Sequence, residues 1–174
     1  MKLISKASIA ALVLALGLVS VPRNGFAQSF QALLRGTSEV PPNASTATGF
    51  STLLLVGNML TVNVQFSGLM GGNATAAHIH CCSAVGVNSS VNIGFAGFPG
   101  ATSGVYNAMF DLTGNAALVG GLNSGLAYVN IHNATFPGGE IRGQISVVPE
   151  PSTVLLVACG MIALGVAAGR RKAA

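Results

Sequence analysis

The feature that most restricts how this chain can fold is a series of short apolar alternations broken by glycine, asparagine, serine and proline. Between residues 28 and 148 nothing sustains a helical period. Instead Leu60, Val62, Val64 and Phe66 alternate with Thr61, Asn63 and Gln65, the two-residue period of a strand with one buried face. Gly57-Asn58 before it suits a tight turn, because both residues tolerate positive φ. That turn pairs a strand over 50–56 with one over 59–67. The same reading predicts strands over 30–35, 75–80, 91–95, 105–112, 126–132 and 139–147, and a short helical turn over 116–119. About eight short strands without helical crossovers predict an all-β fold: an antiparallel Greek-key β-sandwich or barrel.

The two ends of the chain read differently. Residues 1–27 begin with Lys2 and Lys6, continue through an apolar stretch over 9–19, and end in Gly25-Phe26-Ala27. The apolar stretch is too short to span a bilayer, and small residues stand at the −3 and −1 positions of a cleavage site. This is the pattern of a secretory signal peptide cut after Ala27. Residues 149–174 open with Pro149-Glu150-Pro151-Ser152, run uncharged and apolar over 153–169, and then reach Arg170-Arg171-Lys172. As a helix the apolar run would extend ~26 Å, enough for a thin bilayer. The basic cluster after it sets the extreme C-terminus in the cytoplasm and the body of the protein across the membrane. The expected organisation is therefore a signal peptide at 1–27, one domain at 28–148 and a C-terminal anchor helix at 149–174.

The high pI of about 9.4 belongs to those ends. The body holds only Arg35 and Arg142 against Glu39, Asp111 and Glu140, a net charge of −1. No basic patch is present to neutralise phosphates, which excludes nucleic acid as a partner.

The tail resembles the PEP-CTERM sorting signal of Gram-negative bacteria, with Pro149, Glu150 and Pro151 as its motif. The resemblance implies export, a transient membrane anchor, and removal of the tail by an exosortase-type peptidase. The product would then pass to the cell surface or to an extracellular matrix, with extracellular polysaccharide as a candidate partner.

The chemistry-bearing residues of the body gather in two segments. Ala77-His78-Ile79-His80 is followed by Cys81-Cys82, and Tyr128-Val129-Asn130-Ile131-His132 is followed by Glu140 and Arg142. His78 and His80 lie two apart on a strand, so they leave the same face, with Ile79 directed to the core. Val129 and Ile131 should likewise face the core, leaving Tyr128, Asn130 and His132 opposite. If the two strands are neighbours, three imidazoles converge on the outside of the barrel. His-x-His on one strand with a third histidine on another is a recurring arrangement for copper or zinc. The competing use is structural, with the imidazoles tying loops to the sheet. Glu140 and Arg142, also two apart, are expected to share a face as a structural polar cluster. For the adjacent cysteines, oxidation on export favours a vicinal disulfide over an intermolecular one or a thiolate ligand beside His80. No nucleophile motif, phosphate loop or carboxylate pair for hydrolysis is present.

Four blocks in order carry a second resemblance. Leu34-Arg35-Gly36-Thr37-Ser38-Glu39-Val40-Pro41-Pro42, Ala76-Ala77-His78-Ile79-His80, Tyr128-Val129-Asn130-Ile131-His132 and Phe136-Pro137-Gly138-Gly139-Glu140-Ile141-Arg142-Gly143-Gln144 resemble the CHRD domain. The resemblance implies an extracellular β-sandwich module without a generally assigned enzymatic activity. The histidine spacing is also similar to the copper-ligand layout of copper–zinc superoxide dismutases. Residues 83–125 contain no histidine, however, so a dinuclear site of that type is incomplete. The expectation is an exported, surface- or matrix-associated binding or structural module that is not an enzyme. The alternative is a mononuclear copper- or zinc-binding module, or a redox enzyme on a dismutase-like scaffold.

Overall fold

A computed structural model describes residues 27–149, 156–162 and 164. The signal peptide expected over 1–27, except Ala27, and most of the sorting tail, Glu150 and Pro151 included, lie outside the described residues. Pro149 is exposed at the end of the domain. Among the described residues no helix is long and apolar enough to cross a membrane.

The described body is mostly β and wholly antiparallel in its pairing. Its strands are β1 (Ala27–Arg35), β2 (Thr48–Val56), β3 (Met59–Ser67), β4 (Ala74–His80), β5 (Val91–Gly94), β6 (Gly104–Asp111), β7 (Tyr128–Asn133), β8 (Ile141–Gln144) and β9 (Ser146–Val147). One helix, α1 (Ala116–Asn123), lies between β6 and β7. The strands form one continuous sheet in the order β5-β4-β7-β8-β1-β2-β3-β6, with β9 paired to β1. The expected sandwich is thus a single curled sheet, a half-barrel whose two walls are β1-β2-β3-β6 and β8-β7-β4-β5.

The period-two patterns decide which side chains fill the space between the walls. Leu60, Val62 and Val64 of β3 are fully buried while Met59, Asn63 and Gln65 face outward. Ile79, Val129, Ile131 and Ile141 meet them from the other wall, each with no exposed surface. Each such side chain contributes roughly 1.5–3 kcal/mol by leaving water. Where the edges β5 and β6 face each other, aromatic rings fill the gap: Phe95 packs on Tyr106 at 5.0 Å and on Phe110 at 5.9 Å between ring centroids.

Two elements differ from the sequence expectation. The helical turn expected over 116–119 extends to Asn123. Asn115 caps it by accepting a hydrogen bond from the Leu118 N–H (3.2 Å), and Leu118 and Leu122, four apart, are wholly buried. Capping and burial together outweigh the poor helix propensity of Gly120 and Gly121. The strand expected over 139–147 is divided into β8 and β9. At the break Ile145 turns fully inward and donates its N–H to the Ala127 carbonyl (2.9 Å).

Candidate metal centre

Strands β4 and β7 are neighbours, in a register that opposes His78 to Asn130, Ala76 to His132 and His80 to Tyr128. Their core faces are those expected, with Ile79, Val129 and Ile131 inside. The other face is not the open exterior that alternation alone predicts. Tyr128 and Asn130 are each 3% exposed and His80 7%, because loops close over them. The 83–90 loop is pinned by hydrogen bonds from several distant segments. Arg142 donates to the Asn88 side-chain oxygen (3.0 Å) and the Val87 carbonyl (3.1 Å). The Ser89 N–H reaches the Tyr128 hydroxyl (3.0 Å), and the Asn88 amide donates to the Val40 carbonyl (2.9 Å).

Beside this cover the three imidazoles converge, with His80 buried and His78 and His132 half-exposed. One ring nitrogen from each of His78, His80 and His132 lies within 4.8 Å of the others. His78 Nδ1 and His132 Nε2 are 3.1 Å apart, close to the ~3.3 Å separating two nitrogens that each sit ~2.0 Å from one tetrahedral ion. Two of the three remaining nitrogens are tied back. His80 Nδ1 is 2.9 Å from the Ser89 carbonyl, and His132 Nδ1 is 3.0 Å from the Pro137 carbonyl. A carbonyl only accepts, so each of these Nδ1 atoms carries hydrogen and each Nε2 keeps a lone pair. The His80 Nε2 is buried with no hydrogen-bond partner. Fixing a ligating imidazole through its other nitrogen is the usual outer-shell device of a metal site. Burial holds all three histidines below the ordinary imidazole range. They therefore stay in the neutral form that coordination requires.

Stacking fixes the His80 ring further. Tyr128 lies between His80 from β4 (4.8 Å, 2° between ring planes) and Arg142 from β8, whose Cζ is 3.4 Å from the Tyr128 centroid. Arg142 is itself buried, so the cation–π contact and the two loop hydrogen bonds replace its hydration.

The expected Glu140–Arg142 surface cluster is instead two separate buried locks. Glu140 has no exposed surface. It accepts hydrogen bonds from the Ser45 hydroxyl (2.6 Å), the Met70 N–H (2.6 Å), the Gly71 N–H (3.2 Å) and the Asn133 side chain. It joins three distant segments, while Arg142 holds the 83–90 loop. The two diverge because Glu140 precedes β8 in a turn and does not follow the strand's alternation.

Cys81 and Cys82 are joined to each other. Their sulfurs face α1, where a Cβ on Gly121 would strike both. Neither sulfur belongs to the three-histidine group, since Cys81 turns into the core as His80 turns to the other face.

Glu39 was not singled out by sequence reasoning, although an acid before Val-Pro-Pro in so weakly charged a body was the available signal. It is 5% exposed, and its Oε1 and the Asn130 Oδ1 are both buried without partners. A Cβ on Gly139 would strike both atoms. Burial raises the Glu39 carboxyl to about 7, against the opposing pull of Arg142. A protonated Glu39 can donate to Asn130 Oδ1 and satisfy both oxygens. Its folded value lies above the unfolded 4.5, so the folded state holds the extra proton. The Glu39 contribution to stability should be complete below pH ~4.5 and fall by up to about 3 kcal/mol as pH rises to ~7, while the three histidines, held below 6.5, work in the opposite direction in acid. Urea denaturation at several pH values checks this. Glu39→Gln, whose amide can donate in place of the acid proton, should flatten that part of the profile.

A family model described as CHRD domain matches residues 30–145, a span that includes all three histidines, Glu39, Glu140 and Arg142. No curated protein and no solved structure matches the chain.

Proposed function

This chain belongs to the CHRD-domain family, and on that premise we propose that it is an exported, non-enzymatic binding module holding one copper or zinc ion at His78, His80 and His132. The observation that carries the reading is the convergence of three ring nitrogens within 4.8 Å, two of the rings being anchored through Nδ1 to backbone carbonyls. Loop-tying alone accounts for those Nδ1 hydrogen bonds. It does not account for the buried, unpartnered Nε2 of His80 in the group. Three neutral nitrogens are a sufficient protein donor set for one ion and leave a further position for an outside ligand. Residues 83–125 supply no histidine for a second ion, which favours a binding role over dismutase chemistry. Metal analysis of the purified protein after exposure to copper or zinc and desalting tests the reading. One equivalent per chain is expected, and none after His78→Ala.

Export rests on the sequence of the two ends. In this reading the signal peptide delivers the body across the membrane and the 149–174 segment anchors it briefly. An exosortase-type peptidase then recognises Pro149-Glu150-Pro151 and releases the domain to the cell surface or an extracellular, polysaccharide-rich matrix. Replacing the three motif residues with alanine should leave an unprocessed, membrane-held precursor on an immunoblot of fractionated cells. Unchanged processing would contradict the sorting reading.

A further inference from the structure

The wall away from the histidines carries an apolar corner, and both ends of the chain leave the domain there. Val147 of β9 pairs with Phe30, and the Val148 N–H donates to the Ser29 carbonyl (2.8 Å). The chain beyond β9 thus runs antiparallel to β1 and back toward Ala27. The segment bearing the 153–169 apolar stretch therefore departs from this corner.

The outward rows of the sheet at that end are Ala27–Val56–Met59–Asp111 and Ser29–Leu54–Thr61–Met109. Leu54, Val56, Met59 and Met109 are 40%, 46%, 38% and 63% exposed, and Val147 at the edge is 39% exposed. In these rows the one charge is Asp111. It sits on β6, the strand of this wall farthest from the exit, where its carboxylate accepts hydrogen bonds from the Thr113 N–H (2.8 Å) and hydroxyl (2.7 Å). An apolar surface of this kind, charged only at its β6 margin, marks a contact site.

We infer that this corner of the β1-β2-β3-β6 wall rests in the interface of the bilayer to which the chain's own C-terminal segment holds it. The inference rests on the anchored, exported reading above. The membrane-seeking tail rooted beside this corner brings the bilayer to these side chains rather than to those of the opposite wall. Apolar faces held so seat roughly 5–10 Å into the boundary between headgroups and acyl chains. The histidines lie on the β5-β4-β7-β8 wall, so the metal centre would be turned away from the membrane while the tail is present.

The chain contains no tryptophan, so single introduced tryptophans report directly. Full-length protein carrying Val56→Trp, Leu54→Trp or, as a reference on the 83–90 loop, Val85→Trp would be reconstituted in phosphatidylcholine vesicles with and without brominated acyl chains. Circular dichroism would confirm an unchanged β-sheet signal. The expected result is blue-shifted emission quenched at least twofold by brominated lipid at positions 54 and 56, with no quenching at 85. Vesicle-bound protein with equal quenching, or none, at all three positions overturns the inference and leaves anchoring intact. Failure of the full chain to float with vesicles overturns the anchored reading and the inference together.

Discussion

Glu140→Ala should be the most damaging single substitution in the domain, lowering stability by about 3–5 kcal/mol or preventing folding altogether. The carboxylate is fully buried and receives hydrogen bonds from Ser45, Met70, Gly71 and Asn133. Truncation leaves those donors facing a cavity that water does not readily fill, and each buried unsatisfied group costs ~1–3 kcal/mol. The loss also unties connections of long sequence separation, since the partners precede Glu140 by as many as 95 residues. Glu140→Gln keeps the volume but turns an amide N–H toward backbone N–H groups. It should therefore recover only part of the loss. Thermal denaturation followed by circular dichroism checks the pair, with Glu140→Ala expected to lower the midpoint by more than about 10 °C. A change of 2 °C or less would show that Glu140 does not hold these segments together.

His132→Ala should weaken metal binding by at least about 100-fold while leaving the fold in place. The His132 ring is half-exposed and its Nε2 lies 3.1 Å from His78 Nδ1. Removing it takes away one of three donors and frees His78 to rotate. Changes to an outer-shell partner of a metal ligand typically cost 10–100-fold in affinity, so loss of a ligand itself should cost at least the upper figure. Competition titration against a chromophoric chelator measures the change. Binding should also weaken with acid, because protons compete for the same nitrogens. Burial holds the three imidazoles below their ordinary 6.5, so metal should be retained to a pH below that value. Metal lost already above pH 6.5 would mean that the rings are not shielded as described.

Much of this was legible in the chain because period-two alternation is a local property. The strand pattern of β2 and β3 and the inward turn of Ile79, Val129 and Ile131 follow from it, whereas the pairing of the two histidine strands is left conditional by the sequence and is supplied by the fold. What alternation does not encode is what covers the second face of a strand. Tyr128, Asn130 and His80 look outward by period and are buried in fact, because Arg142, Asn88 and Val40 draw distant loops across them. The same limit explains Glu39 and Glu140. An acid in a Gly- or Pro-rich stretch reads as a solvated turn until long-range partners enclose it. In the case of Glu140 two of those partners, at Met70 and Gly71, are backbone N–H groups, which carry no signature in the sequence.

The most direct test of the metal centre is to observe the imidazole nitrogens of the isotopically labelled protein by NMR while adding one equivalent of zinc. The account predicts that His78 Nδ1, His80 Nε2 and His132 Nε2 move together to metal-bound shifts and saturate at one ion per chain, with the His80 and His132 Nδ1 hydrogens retained. Zinc that leaves the three rings unchanged, or moves only one of them, would contradict it.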